Sequence, residues 1–150
     1  MLDIKQHRNR VWVTRTGVKV DRIASAWLVR RFIDDHAKFK FVEGHDYAAE
    51  AGEIRFDMRS GDLTHQADNC TFEVMVDRFG LDAPGLAALA EIIHDIDLDE
   101  DKYGRAEKAG VAAFIAGLVA SCADDNQRIE RGSALLDALL ADLARRKGRA

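Results

Sequence analysis

One proline, Pro84, and two cysteines, Cys70 and Cys122, are all that this 150-residue chain has of the residues that most constrain a backbone. The cysteines lie far apart and form no Cys-x-x-Cys pair, so neither a zinc knot nor a disulfide framework is supported. They read as reduced thiols of a cytoplasmic protein. No apolar run approaches the ~18 residues of a membrane span. The segment Met1–Arg10 has no hydrophobic stretch of signal-peptide type. Repeats, linkers and low-complexity blocks are also missing. What is present, 47% apolar and 32% charged residues, is the composition of one globular domain over residues 1–150.

A formal net charge of −4 hides a strong polarity. Residues 1–40 carry ten Lys/Arg against four Asp/Glu, residues 41–101 three against sixteen, and residues 102–150 nine against six. An acidic middle containing His45, His65 and His94 attracts cations and repels nucleic-acid phosphate. Nucleic acid and membranes are therefore not expected partners, and a homo-oligomer is left open.

Val11–Thr14 reads as a strand, broken by Gly17. Arg22–Ile33 is helix-forming and apolar on nearly all sides, the pattern of a buried helix, with Asp21 as its N-cap. Lys19, Arg22 and Ser25 crowd the same helix end, where free N–H groups also suit a small oxyanion; Asp21 competes with that role. Lys38–Val42 and Ile54–Met58 supply two more strands. The spacing predicts helices in most of the chain beyond Cys70, with Pro84 at a helix start. A stripe of Gly110, Ala113 and Gly117 predicts an interior helix over 107–121, and 127–143 is amphipathic. The basic end, Arg145–Ala150, is expected to be disordered. The fold class is α/β (α+β): a small mixed sheet of three strands packed with about five helices, the carboxyl-terminal half helical.

Two stretches concentrate chemistry. Asp62-Leu-Thr-His-Gln-Ala-Asp-Asn-Cys-Thr-Phe-Glu73 sets an imidazole, a thiol and three carboxylates between a strand and a helix, where Asp68 or Asn69 alternatively caps and Glu73 complements the helix dipole. Projected on that helix, Cys70, Glu73 and Asp77 face away from its apolar side. In the helix ending at Asp97, His94 and Asp97 are i, i+3 neighbours at the core boundary, and Asp95 points to water. Such a pair needs a partner, either a metal ion or each other.

Three stretches together resemble one family. Val18-Lys-Val-Asp-Arg-Ile-Ala-Ser-Ala-Trp-Leu-Val-Arg-Arg-Phe-Ile-Asp34 is similar to the signature helix of the ChrB-type chromate resistance proteins. Phe56-Asp-Met58 with Thr64-His-x-x-Asp-x-Cys-Thr-Phe-Glu73, and Ala90-Glu-Ile-Ile-His-Asp-x-Asp97, resemble its second and third motifs. The resemblance implies a domain of bacterial chromate resistance, which in longer members forms the carboxyl-terminal half of a chromate-responsive regulator. Within the matched motifs His65, Glu73, His94 and Asp97 are the candidate ligands of a divalent metal such as Zn, Mn or Fe. Asp57, Cys70 and Asp95 stand behind them as ligands or as groups that orient the imidazoles. The functions this leaves are a metal-binding or metal-responsive domain, a metal-dependent hydrolytic or redox enzyme, a direct sensor of an oxyanion such as chromate, or a scaffold or dimerisation domain whose polar residues serve as caps.

Overall fold

The computed structural model of the chain describes residues 1–147. Its centre is β1 (Val11–Arg15), flanked by β2 (Lys38–Val42) and β3 (Glu53–Arg55) in the order β2-β1-β3. The α/β class holds, with three strands and five helices, but the sheet expected to be mixed is parallel throughout. A parallel central strand is covered on both faces, which is why consecutive residues Trp12, Val13 and Thr14 are all fully buried. The third strand is shorter than its apolar run: ordered pairing stops at Arg55, Phe56 bridges to Leu63, and Asp57 turns out of line with φ +50°.

The crossover from β1 to β2 is α1 (Val20–Leu28), whose last turn widens into a π-type turn over Val29–Ile33. Every residue of α1 except Arg22 is buried, as its all-round apolar pattern requires. Asp34, fully buried just beyond, accepts hydrogen bonds from the N–H groups of Asn9 and Arg10 (2.9 Å each) and the Trp12 indole (3.0 Å). The end of the helix is thereby tied to the start of β1.

Four helices follow: α2 (Thr71–Arg78), α3 (Leu86–Asp97), α4 (Lys108–Ser121) and α5 (Asp125–Lys147). The helix expected in the interior, α4, lies at the margin. Only its Val111 and Ile115 are buried, and Gly110 and Gly117 face open space. The close approach sits elsewhere, where a Cβ at Gly132 of α5 would come within 2.4 Å of the Ile23 Cγ2 on α1. Asp125 accepts from the N–H groups of Gly17 and Val18 (3.1 and 2.8 Å), fixing the β1–α1 loop against α5. The basic end is helical where disorder was expected: Arg145 and Arg146 pair with Asp142, and Arg146 reaches Glu107 at 2.8 Å. Residues 148–150 of that predicted tail lie outside the described residues. No helix among the described residues is long and apolar enough to cross a membrane.

Candidate metal centre

Parallel sheets place their ligand sites beyond the carboxyl ends of the strands, and polar side chains converge there in this chain. The β1–α1 loop, the turn after β3, the loop before α2 and the end of α3 meet around a cavity of about 500 Å³. His65 stands at its centre, 43% exposed. Its Nδ1 is 3.2 Å from Asp57 Oδ1, and its Nε2 is 3.1 Å from Asp97 Oδ2 and 3.7 Å from Asp21 Oδ2. Thr71 donates its hydroxyl to Asp57 Oδ1 at 2.9 Å. Arg22 pairs with Asp57 Oδ2 (3.3 Å) and donates to its carbonyl oxygen.

Asp21 has a different job from the one its position suggests. Helix α1 begins two residues earlier, with Lys19 as N-cap, so Asp21 lies in the first turn and does not cap it. Its carboxylate, 3% exposed, instead accepts from the N–H groups of Thr71 and Phe72 (3.0 and 2.9 Å) at the start of α2. Cys70, rather than Asp68 or Asn69, is the N-cap of α2, and Glu73 completes a capping box through the Cys70 N–H at 3.1 Å. Because α2 packs with its amino end inward, Cys70 is fully buried instead of facing away from the core. Burial, with Asp21 and Glu73 nearby, pushes its thiol well above the usual range and leaves it a poor nucleophile.

The four leading candidates therefore divide into two pairs. His65 meets Asp97, while His94 meets Glu73, its Nδ1 2.5 Å from Glu73 Oε1. Cys70 lies at the seam: its sulfur is within 4.8 Å of ligand atoms of Asp21 and Asp97, and its N–H bonds Glu73. Asp95, placed by helical projection on the wet side, is 1% exposed, because the loop after α3 folds back and gives its carboxylate the N–H groups of Tyr103 and Gly104. Of the oxyanion candidates, Lys19 and Arg22 border the cavity. Ser25 is fully buried, with its hydroxyl 3.5 Å from Asp21.

Electrostatics single out the His65 cluster. Desolvation, then the charges of Asp57 and Asp97, push the Asp21 carboxyl from 3.8 up to about 7, against the bond from Phe72 and the pull of His65. Burial likewise raises Asp97, although His65 pulls it down. His65 is lowered by burial but raised more by Asp97, Asp21 and Asp57. One ligand atom each from Asp21, Asp57 and His65 falls within 4.8 Å of the others.

All three shifts have the same sign for stability. A folded pKa above the unfolded value means the folded chain holds protons that the unfolded chain releases, so stability falls as pH rises. The window runs from about 4 to about 7 for Asp21. His94, also raised, adds to this, whereas His45, held below its usual value, opposes it. In a chelator, denaturant midpoints are expected to decline steadily between pH 5 and pH 8. A saturating divalent ion is expected to reverse the trend, because binding requires the deprotonated ligands.

Asp21 and Asp57, which stood behind the leading candidates in the sequence, both lie against His65 in the structure. Asp21 resembles an N-cap in any single sequence, and only its burial reveals another role. Asp57 lay inside the run expected as the third strand, and only the end of pairing at Arg55 puts it beyond the strand. Glu100 and Arg15, which join the two clusters' surroundings, carried no local mark.

The fold and these side chains define a small α/β domain with an acid–imidazole centre at the carboxyl edge of a parallel sheet. The family model for the ChrB C-terminal domain matches residues 12–143. Protein ChrB of Cupriavidus metallidurans is 37% identical over 138 residues, which cover 91% of this chain and 42% of that relative. The chain belongs to the ChrB C-terminal domain family of chromate resistance. It spans less than half the length of the ChrB relative it matches. No solved structure matches it.

Proposed function

We propose that the domain is the metal-binding, metal-responsive module of a bacterial chromate resistance system, with a divalent ion held by Asp21, Asp57, His65 and Asp97. One observation carries this reading: three carboxylates crowd one imidazole in a cavity where Arg22 pairs with one of them, Asp57. Burial first, and then this crowding, lift Asp21 to about 7, and a divalent cation relieves the crowding more fully than a proton can. Imidazole with carboxylates suits Zn, Mn or Fe. His65 then supplies one ring nitrogen, Asp57 is steadied by Thr71 and Arg22, and Asp21 is steadied by the amino end of α2.

A second reading, an oxyanion sensor, has its own support. Arg15 and Lys19 border the same cavity beside Arg22. Burial and then Arg15, Arg59 and Arg22 hold His45, which lies 2.7 Å from Arg15, below its usual value. The two readings join if the ion's open position takes the oxyanion while the basic rim steadies it. Titration of chelator-treated protein with Zn²⁺, Mn²⁺ and Fe²⁺, each followed by chromate, tests both. A bound ion at the His65 cluster, and chromate heat only in its presence, is the expected result. Absence of binding by all three ions contradicts the proposal.

A further inference from the structure

The second imidazole carries an arrangement that the His65 centre does not use. His94 is fully buried in the last turn of α3. Its Nδ1 faces Glu73 Oε1, an oxygen that already accepts the Cys70 N–H and so is fixed as an acceptor. The Nδ1 position therefore carries the proton. That leaves Nε2, a lone pair, facing a carboxylate oxygen of Glu100. Two acceptors meet there, and something positive has to lie between them, either a second ring proton or a metal ion.

Asp95 decides between the two. It is 1% exposed, and its Oδ2 takes the N–H groups of Tyr103 and Gly104 at 2.9 and 3.1 Å. Its Oδ1 is buried with no hydrogen-bond partner among the described residues. A buried, unpaired carboxylate oxygen is a cost that native structures seldom leave unanswered. One ligand atom each from His94, Asp95 and Glu100 lies within 4.8 Å of the others. A second proton on His94 satisfies Glu100 and leaves Asp95 unanswered. A divalent ion answers both.

We infer that His94 Nε2, Asp95 and Glu100 form a second divalent-metal site, sharing no ligand with the centre at His65. Glu73 acts there by orienting the imidazole, the usual carboxylate–histidine–metal relay. Imidazole with two carboxylates selects a borderline ion such as Zn²⁺ or Co²⁺. The carboxyl end of α3 adds partial negative charge at this spot. Tyr103 covers the ring edge-on with centroids 5.2 Å apart, and Lys108 is held off by the Glu100 carbonyl oxygen (2.7 Å) and Asp101 (3.0 Å). Access is from the Glu100 side, which is 45% exposed. The ion would pin the loop over residues 98–104 onto α3.

Glu100 also allows a test, because it is 45% exposed and Glu100→Gln keeps the side-chain shape while removing the ligand charge. Wild-type, Glu100→Gln, His65→Ala and the double variant are stripped of metal, dialysed against Co²⁺, and assayed for bound cobalt and visible absorption. Two ions per chain are expected for wild type, one for each single variant and none for the double. Glu100→Gln should weaken its site by at least about ten-fold, while the variant, which also loses the charged partner of His94, still unfolds cooperatively in EDTA. Wild-type and Glu100→Gln protein binding the same number of ions at the same affinity would overturn the inference. Loss of one ion in Glu100→Gln but none in His65→Ala would instead count against the first centre alone.

Discussion

Replacing Asp21 with asparagine is expected to weaken divalent-ion binding at the His65 centre by on the order of 100-fold or more, since it removes a charged ligand rather than a supporting group. The fold should survive. The amide keeps the shape of the carboxylate and still accepts one of the two α2 N–H bonds now made by Asp21. The other N–H loses its acceptor, at about 1–3 kcal/mol. Against that, the variant escapes the burial and the repulsion from Asp57 and Asp97 that raise Asp21 to about 7. Above pH 7 these effects largely offset, so the unfolding free energy in EDTA should move by less than about 2 kcal/mol. The diagnostic result is the pH profile. Much of the decline in stability between about pH 4 and about pH 7 should vanish in Asp21→Asn, with the smaller part due to His65 and Asp97 remaining. Calorimetric titration and urea unfolding at several pH values read both quantities. Undiminished metal affinity together with an unchanged pH profile would remove Asp21 from the centre.

The largest loss of stability should come from a residue with no part in the site. Asp34→Ala strips the acceptor from three backbone N–H groups and an indole N–H at a fully buried position. Bonds to an ionised acceptor contribute about 1.5–3 kcal/mol each, and stranded donors add their desolvation. Allowing for relaxation and water entry, the expected cost is about 4 kcal/mol. That corresponds to a melting temperature lower by roughly 8–16 °C. Asn at the same position should cost about half as much, because one oxygen remains to accept. Burial raises the Asp34 carboxyl, but the bonds from Arg10, Trp12, Asn9 and His36 outweigh it and hold the group below its usual value. Its contribution is therefore present above the unfolded pKa near 4 and is lost as pH falls further. Wild type should lose this stability in acid, and Asp34→Ala should show a shallower acid limb.

Periodicity made the outline of this fold legible and left its connections hidden. The apolar surround of α1 announced a buried crossover helix, and the β-rich runs at 11–15 and 38–42 fell where strands form. Strand direction did not show, because it depends on which face each connection crosses. The small residues of α4 suggested close packing, yet a small residue permits approach without requiring it, and Gly132 was the one used. Within the site, the resemblance gathered residues of the right type but could not say which met. His65 and Asp97 are 32 residues apart in sequence and touch, and His94 belongs to Glu73 and Glu100 instead. Asp21 was hidden because its carboxylate serves a helix 50 residues further along the chain. A helical wheel assumes that the chain leaves the helix into solvent. Asp95 broke that assumption when the following loop folded back over it.

Anomalous diffraction from crystals grown with Zn²⁺ shows whether Asp21, Asp57, His65 and Asp97 hold a metal ion. A peak is expected at the carboxyl edge of the sheet, about 2.0–2.2 Å from a His65 ring nitrogen and from carboxylate oxygens of Asp21, Asp57 or Asp97. A fully occupied ion elsewhere, with His65 still bonded only to its neighbouring acids, would contradict the proposed centre.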